Sequence, residues 1–165
     1  VLGTGEERKA YATLAEKLEI AAKRSKNYGY MFESYAALAR VLAVKYDLGY
    51  LTREAYEKGD KNALAALLPD YEKTLVNLEN FVAVYEKQWM KENKPHGFDV
   101  QDIRLGGLIQ RTKSCTRRLR AYLNGELGAI EELEEATVDF TTGGEPQRNG
   151  ANCNSYGTIA TANIL

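Results

Sequence analysis

The chain has 165 residues and a mass of 18.4 kDa. That is the size of one ordinary domain, and too small for a complete (β/α)8 barrel, which needs roughly 200 residues or more. Apolar residues make up 44% and charged residues 27%, a globular composition; 22 basic residues against 23 acidic ones leave a net charge of -1, which speaks against a dedicated nucleic-acid binder.

The chain opens Val1-Leu2-Gly3-Thr4-Gly5, without a methionine and without a basic stretch leading into an apolar one. A secretory signal has that second pattern, so a cytoplasmic location is expected, and the chain is expected to be cut or processed from something longer. Residues 5–24 carry Leu14, Leu18 and Ala21 at helical spacing. Residues 28–48 give a clearer pattern. Tyr28, Met31, Phe32, Tyr35, Leu38, Leu42 and Tyr46 form one stripe, and Gly49 sits where a left-handed cap is wanted. Thr52 can cap a short helix with Glu54 in its first turn, and Gly59 ends it. Proline belongs in a helix's first turn and not its interior. Pro69 therefore predicts a short helix over 61–68 and a long one over 69–92, the latter striped by Tyr71, Leu75, Leu78, Phe81, Val82, Tyr85 and Trp89. Lys94-Pro95-His96-Gly97 reads as a turn. Asp99 is expected to cap the next helix, which ends at Asn124-Gly125.

Beyond Gly125 the character changes. Six carboxylates fall within 126–139, and a Gly- and Asn-rich loop follows from Thr141 to Ser155. Val138, Phe140 and the run Thr158–Leu165 look extended. The expected fold is mainly α: a bundle of about five helices over 1–125, then an acidic segment and short β-like tail over 126–165. No stretch of about 18 apolar residues is present to span a membrane.

Residue chemistry offers several candidates, each with a plainer alternative. Glu131, Glu132, Glu134 and Glu135 could suggest a cation site or paired carboxylates, but they are too close in sequence to flank a substrate. A solvated face accounts for them. Arg104, Arg111, Lys113, Arg117, Arg118 and Arg120 lie on one predicted helix. They could make a phosphate surface or face the acidic segment just after them. Cys115 and Cys153 are too few for a disulfide framework and are expected to be free thiols. With one histidine, His96, neither a structural zinc site nor a di-iron bundle can be drawn, and no cofactor is expected. The tyrosines Tyr28, Tyr35, Tyr71 and Tyr85 could be sugar platforms, yet their spacing reads as core. Gly106-Gly107 inside a helix costs roughly 1 kcal/mol per glycine relative to alanine. Close internal helix packing and an interdomain contact both explain it.

One stretch is more distinctive. Gln88-Trp89 and Glu92–Leu108, with Arg111, Cys115, Arg118-Leu119 and Tyr122-Leu123 following, resemble the C-terminal helical region of a subgroup of glycoside hydrolase family 20. These are bacterial exo-acting β-N-acetylhexosaminidases. The resemblance reaches back through Tyr46-Asp47-Leu48-Gly49 and forward to Ile130–Glu135. It implies a non-catalytic accessory domain. Chemistry would lie on a preceding barrel, where an Asp-Glu pair assists the substrate's acetamido group. This chain contains no Asp-Glu dipeptide, so no catalytic residue carries over. The implied partner is that upstream barrel, on which the acidic segment and tail could also pack. A homodimer is a further expectation, and neither nucleic acid nor membrane is. The expected interdomain contact is Pro95, His96, Gly97, Phe98, Asp99, Arg104, Gly106 and Gly107. The alternative from another class is a free-standing helical interaction module.

Overall fold

The structure is a computed structural model and describes residues 5–135. Five helices account for most of them: α1 (Glu6–Arg24), α2 (Gly29–Lys45), α3 (Leu48–Glu57), α4 (Lys61–Glu92) and α5 (Phe98–Leu123). A single turn, α6 (Glu131–Glu134), follows. The described residues contain no strand, so the fold is mainly α. The β-like tail and Cys153 lie outside the described residues. No helix among those described is long and apolar enough to cross a membrane.

The first compact unit runs through Ile130, and α6 belongs to the second. Within the first, the long helices pack in the order α1, α2, α4, α5, with α3 laid on α4. Side-chain bonds set an antiparallel register at each step. Arg40 of α2 grips Glu19 of α1 through two donors, at 2.9 and 3.1 Å. Tyr30 donates to Glu92 (2.9 Å), and Asn77 donates to the Arg40 carbonyl (2.9 Å), joining α2 to α4. Lys113 pairs with Glu79 (3.2 Å) and Arg120 with Glu72, joining α5 to α4.

α2 has neighbours on two sides, and its buried residues are small: Ser34, Ala36, Ala37, Ala39, Val41 and Val44. Small side chains let backbones approach. The closest approach is at Gly29, where an added Cβ would stand 2.7 Å from the Ala22 carbonyl oxygen. The apolar stripe of α2 is therefore not the core. Tyr28, Tyr35, Leu38 and Tyr46 are exposed. Tyr35 and Leu38 sit one residue from Ser34 and Ala37 of the buried line, about 100° round the helix. The larger core residues come instead from α4, with Leu64 and Leu78 fully buried and Tyr71 nearly so. Tyr71 keeps its expected core place with a bonded polar tip.

Three boundaries differ from expectation. α4 runs unbroken through Pro69. The ring removes the N–H that would reach the Ala65 carbonyl, a cost of about 3 kcal/mol. Burial of Leu64, Tyr71, Thr74 and Leu78 among α2, α3 and α5 offsets it. Asp60 caps this helix, accepting from the Ala63 N–H at 2.9 Å. Gly49 does not terminate α2, and Thr52 does not cap α3, because α3 already begins at Leu48. Thr52 is buried inside it, donating to the Leu48 carbonyl (2.7 Å) and bonded to the Tyr71 hydroxyl (2.8 Å). The break between α2 and α3 is made at Asp47, only 2% exposed, whose carboxylate takes the Arg8 guanidinium. Arg8 also reaches Asp70 of α4 at 2.6 Å. Burial alone would lower the Arg8 pKa; the hydrogen bonds and charge of Asp70 and Asp47 outweigh it, and the pKa is raised. Asp99 does not cap α5. Gly97, at φ 96°, occupies that position, and Asp99 lies in the first turn.

Gly29→Ala forces its methyl against backbone that cannot rotate away. Overpacking of this kind costs about 1–3 kcal/mol, so the melting temperature of the chain is expected to fall by several degrees. An unchanged melting temperature in a thermal scan by circular dichroism would show that α1 and α2 are not held this closely.

Candidate functional site

The segment 94–108 joins α4 to α5, and an aromatic cluster fixes its start. Phe98 is buried beneath Trp89 and Tyr85, with ring centroids at 5.7 and 6.0 Å. Tyr85 stacks on Phe81 at 5.6 Å. The Trp89 indole donates to the Lys94 carbonyl at 2.9 Å, and the Phe98 N–H bonds back to the Pro95 carbonyl at 3.1 Å. The tight turn that Pro95 and Gly97 announce in sequence is thus closed by contacts within the domain.

The expected contact residues divide accordingly. Phe98 points inward. Pro95 and His96 are exposed on the turn, with Gly97, Asp99 and Arg104 half-buried. Gly106 and Gly107 are exposed, and a Cβ added at either meets nothing within 4 Å. Internal helix packing therefore does not explain these glycines. They leave a bare strip on α5.

Three basic residues of α5 have partners on α4 or on α5 itself. Lys113 and Arg120 take Glu79 and Glu72, and Arg117 donates to Ser114 at 3.1 Å. Cys115 is a free thiol. No group of three or more His, Cys, Asp or Glu side chains that could hold a metal ion occurs among the described residues.

Besides a concavity of about 280 Å³ lined by Glu19, Lys23, Glu33, Arg40 and Asn80, two more lie away from the 94–108 segment. A pocket of about 190 Å³ sits between α3, α4 and α5, lined by Leu48, Gly49, Thr74, Arg111, Thr112 and Cys115 among others. It unites two stretches far apart in sequence, 48–49 and 111–115. The buried hydroxyls of Thr112 and Thr116 bond back to carbonyls one turn earlier, at 2.8 and 2.9 Å. Thr74, fully buried, has no hydrogen-bond partner. The other concavity is a groove of about 280 Å³ between α1 and α2, lined by Tyr11, Leu14, Leu18, Tyr35, Leu38 and Leu42, with Ala39 at its floor. Tyr11 meets Tyr46 at its edge, 5.6 Å between centroids. Sequence spacing marks all but Tyr11 and Ala39 of this groove as apolar stripe. What spacing could not give is the direction in which the stripe points.

The family model for the Glycoside Hydrolase 20C C-terminal domain matches residues 3–152. The chain belongs to this family. No curated protein matches the sequence. As a C-terminal domain of a family 20 glycoside hydrolase, it shares its chain with a catalytic domain. The 20C domain so defined includes α1 to α5 and the concavities between them.

Two measurements bear on these surfaces. Gly107→Ala places a methyl in open space and removes a flexible residue from a helix, so the chain is expected to gain about 0.5–1 kcal/mol. Loss of stability in urea unfolding would mean that the strip is covered within this chain. Tyr71 gives a pH dependence. Burial raises its pKa from 10.0, with the Thr52 hydrogen bond acting the other way. The unfolded phenol ionises first, so this stability is complete below pH 10 and lost as pH rises through the folded value. Tyr71→Phe should cost about 1 kcal/mol at neutral pH, and the deficit should shrink above pH 10. A deficit constant from neutral to alkaline pH would contradict the burial.

Proposed function

We propose that this chain is the non-catalytic accessory domain of an exo-acting β-N-acetylhexosaminidase, and that it steadies the catalytic barrel preceding it. The observation that carries this is the family match across residues 3–152. It is supported by the run 88–108, which resembles the hexosaminidase subgroup of family 20. The chain brings helices, a part-buried Arg8–Asp47–Asp70 clasp and apolar surface to that task. Removal of terminal N-acetylhexosamine falls to the barrel, whose carboxylates are expected to assist the substrate's acetamido group.

Activity separates the parts. The 165-residue chain is expected to leave aryl β-N-acetylglucosaminide and β-N-acetylgalactosaminide intact. The enzyme carrying its catalytic domain is expected to hydrolyse them, and to lose heat stability when residues 6–130 are deleted. Release of the aryl group in proportion to the amount of the 165-residue chain would overturn the assignment. An enzyme indifferent to the deletion would remove the steadying role.

A further inference from the structure

Part of the apolar stripe of α2 faces outward. On α2, Tyr35 is 54% exposed and Leu38 37%, and on α1 Leu14 is 44% exposed. The three belong to the same groove, with Tyr11, Leu18 and Leu42. No charged side chain lines it. A sugar or other polar solute needs placed hydrogen-bonding groups in its pocket, and this groove offers only the phenol tips of two tyrosines. Contiguous exposed apolar surface of this kind marks a protein contact. A groove without charge suits a lasting contact, since transient interfaces are more polar.

We infer that the α1–α2 groove is the seat of the preceding catalytic domain. The inference rests on the accessory role proposed above. A C-terminal domain follows its catalytic domain in sequence, so α1 is the helix reached first from it. α1 is also the end of the helix row. It packs on α2, touches α4 through Arg8, and supplies Tyr11, Leu14 and Leu18 to the groove. The bare strip at Gly106-Gly107 lies on α5, at the other end of the row. Its glycines offer no side chain and Ile103 beside them is one exposed large residue, whereas the groove presents six large ones. The catalytic domain seats an apolar element of its own between α1 and α2, and the exposed stripe of α2 becomes interface core.

Cysteine accessibility tests this. Tyr35→Cys and, separately, Leu38→Cys replace exposed groove residues, and Gly107→Cys reports on the α5 strip. Each is reacted with N-ethylmaleimide, in the 165-residue chain and in the enzyme carrying its catalytic domain. Labelling at that position is read by peptide mass spectrometry, and circular dichroism verifies the helix content of each variant. The expected result is at least tenfold slower labelling at 35 and 38 in the enzyme than in the chain, with less than a twofold change at 107. Equal labelling at 35 and 38 in both forms overturns the inference, as does protection at 107 alone. Protection already present in the 165-residue chain also overturns it. If that protection grows with protein concentration, the occupant is a second copy. If it disappears on truncation after Glu135, the occupant is the chain's own C-terminal segment. Hydrolysis of the aryl substrate by the same enzyme is read separately. Protection without hydrolysis upholds the seat and refutes the hexosaminidase assignment; hydrolysis without protection does the reverse.

Discussion

α2 is held from two sides by backbone that can come close only because the facing residues are small. Gly29 lies under the Ala22 carbonyl, and Ser34, Ala37, Val41 and Val44 carry the contact along the helix. The rest of the packing follows from this. A helix gripped on two flanks by small residues has no room there for its tyrosines and leucines. Those larger side chains are displaced to a third face, where nothing among the described residues covers Tyr35 or Leu38. Close packing and exposed apolar surface are thus two consequences of one choice of residues.

Ends and turns are fixed by a different kind of contact. Arg8 spans Asp47 and Asp70, so one guanidinium ties the start of α1 to the break after α2 and to α4. Exposed ion pairs are worth little, but Asp47 is buried, and removing its partner would strand a charge away from water. At the opposite corner the Phe81–Tyr85–Trp89–Phe98 cluster holds the α4–α5 turn by apolar burial. The segment after α5 is tied down by Tyr56, whose hydroxyl accepts from the Ile130 N–H at 2.9 Å while its ring meets Tyr122. That bond brings residues 126–130 into the first compact unit.

Helices were legible wherever period and local caps agree. The stops at Gly59 and Gly125 follow from local chemistry, and both glycines take positive φ. The failures share a cause. Gly49 and Thr52 look like punctuation, but the α2–α3 break depends on Arg8, 39 residues away from Asp47. Pro69 looks like a helix start, but burial of Leu64 before it and Tyr71 after it outweighs the lost hydrogen bond. The α2 stripe is apolar, as its spacing says, but Tyr28 and Tyr35, which that spacing places in the core, are exposed. Periodicity tells which residues share a face, not which face the neighbours take. For the candidate site, spacing identified most of the groove's apolar residues, but only three-dimensional packing shows α1 and α2 presenting theirs side by side.

A helix row that closed on itself would bury its apolar stripes and be finished alone. Here α1 and α5 do not pack on one another, and the large side chains of the α1–α2 groove stay in contact with water. Leaving such groups exposed forgoes about 25 cal/mol for each Å² of apolar surface that could be buried. A covalently attached neighbour recovers that stabilisation at low entropic cost, since its effective concentration is set by the linker and not by diffusion. For a C-terminal domain that shares a chain with its catalytic domain, an unfinished core is therefore a means of coupling. If the catalytic domain takes the proposed seat, the stability of each part depends on the other.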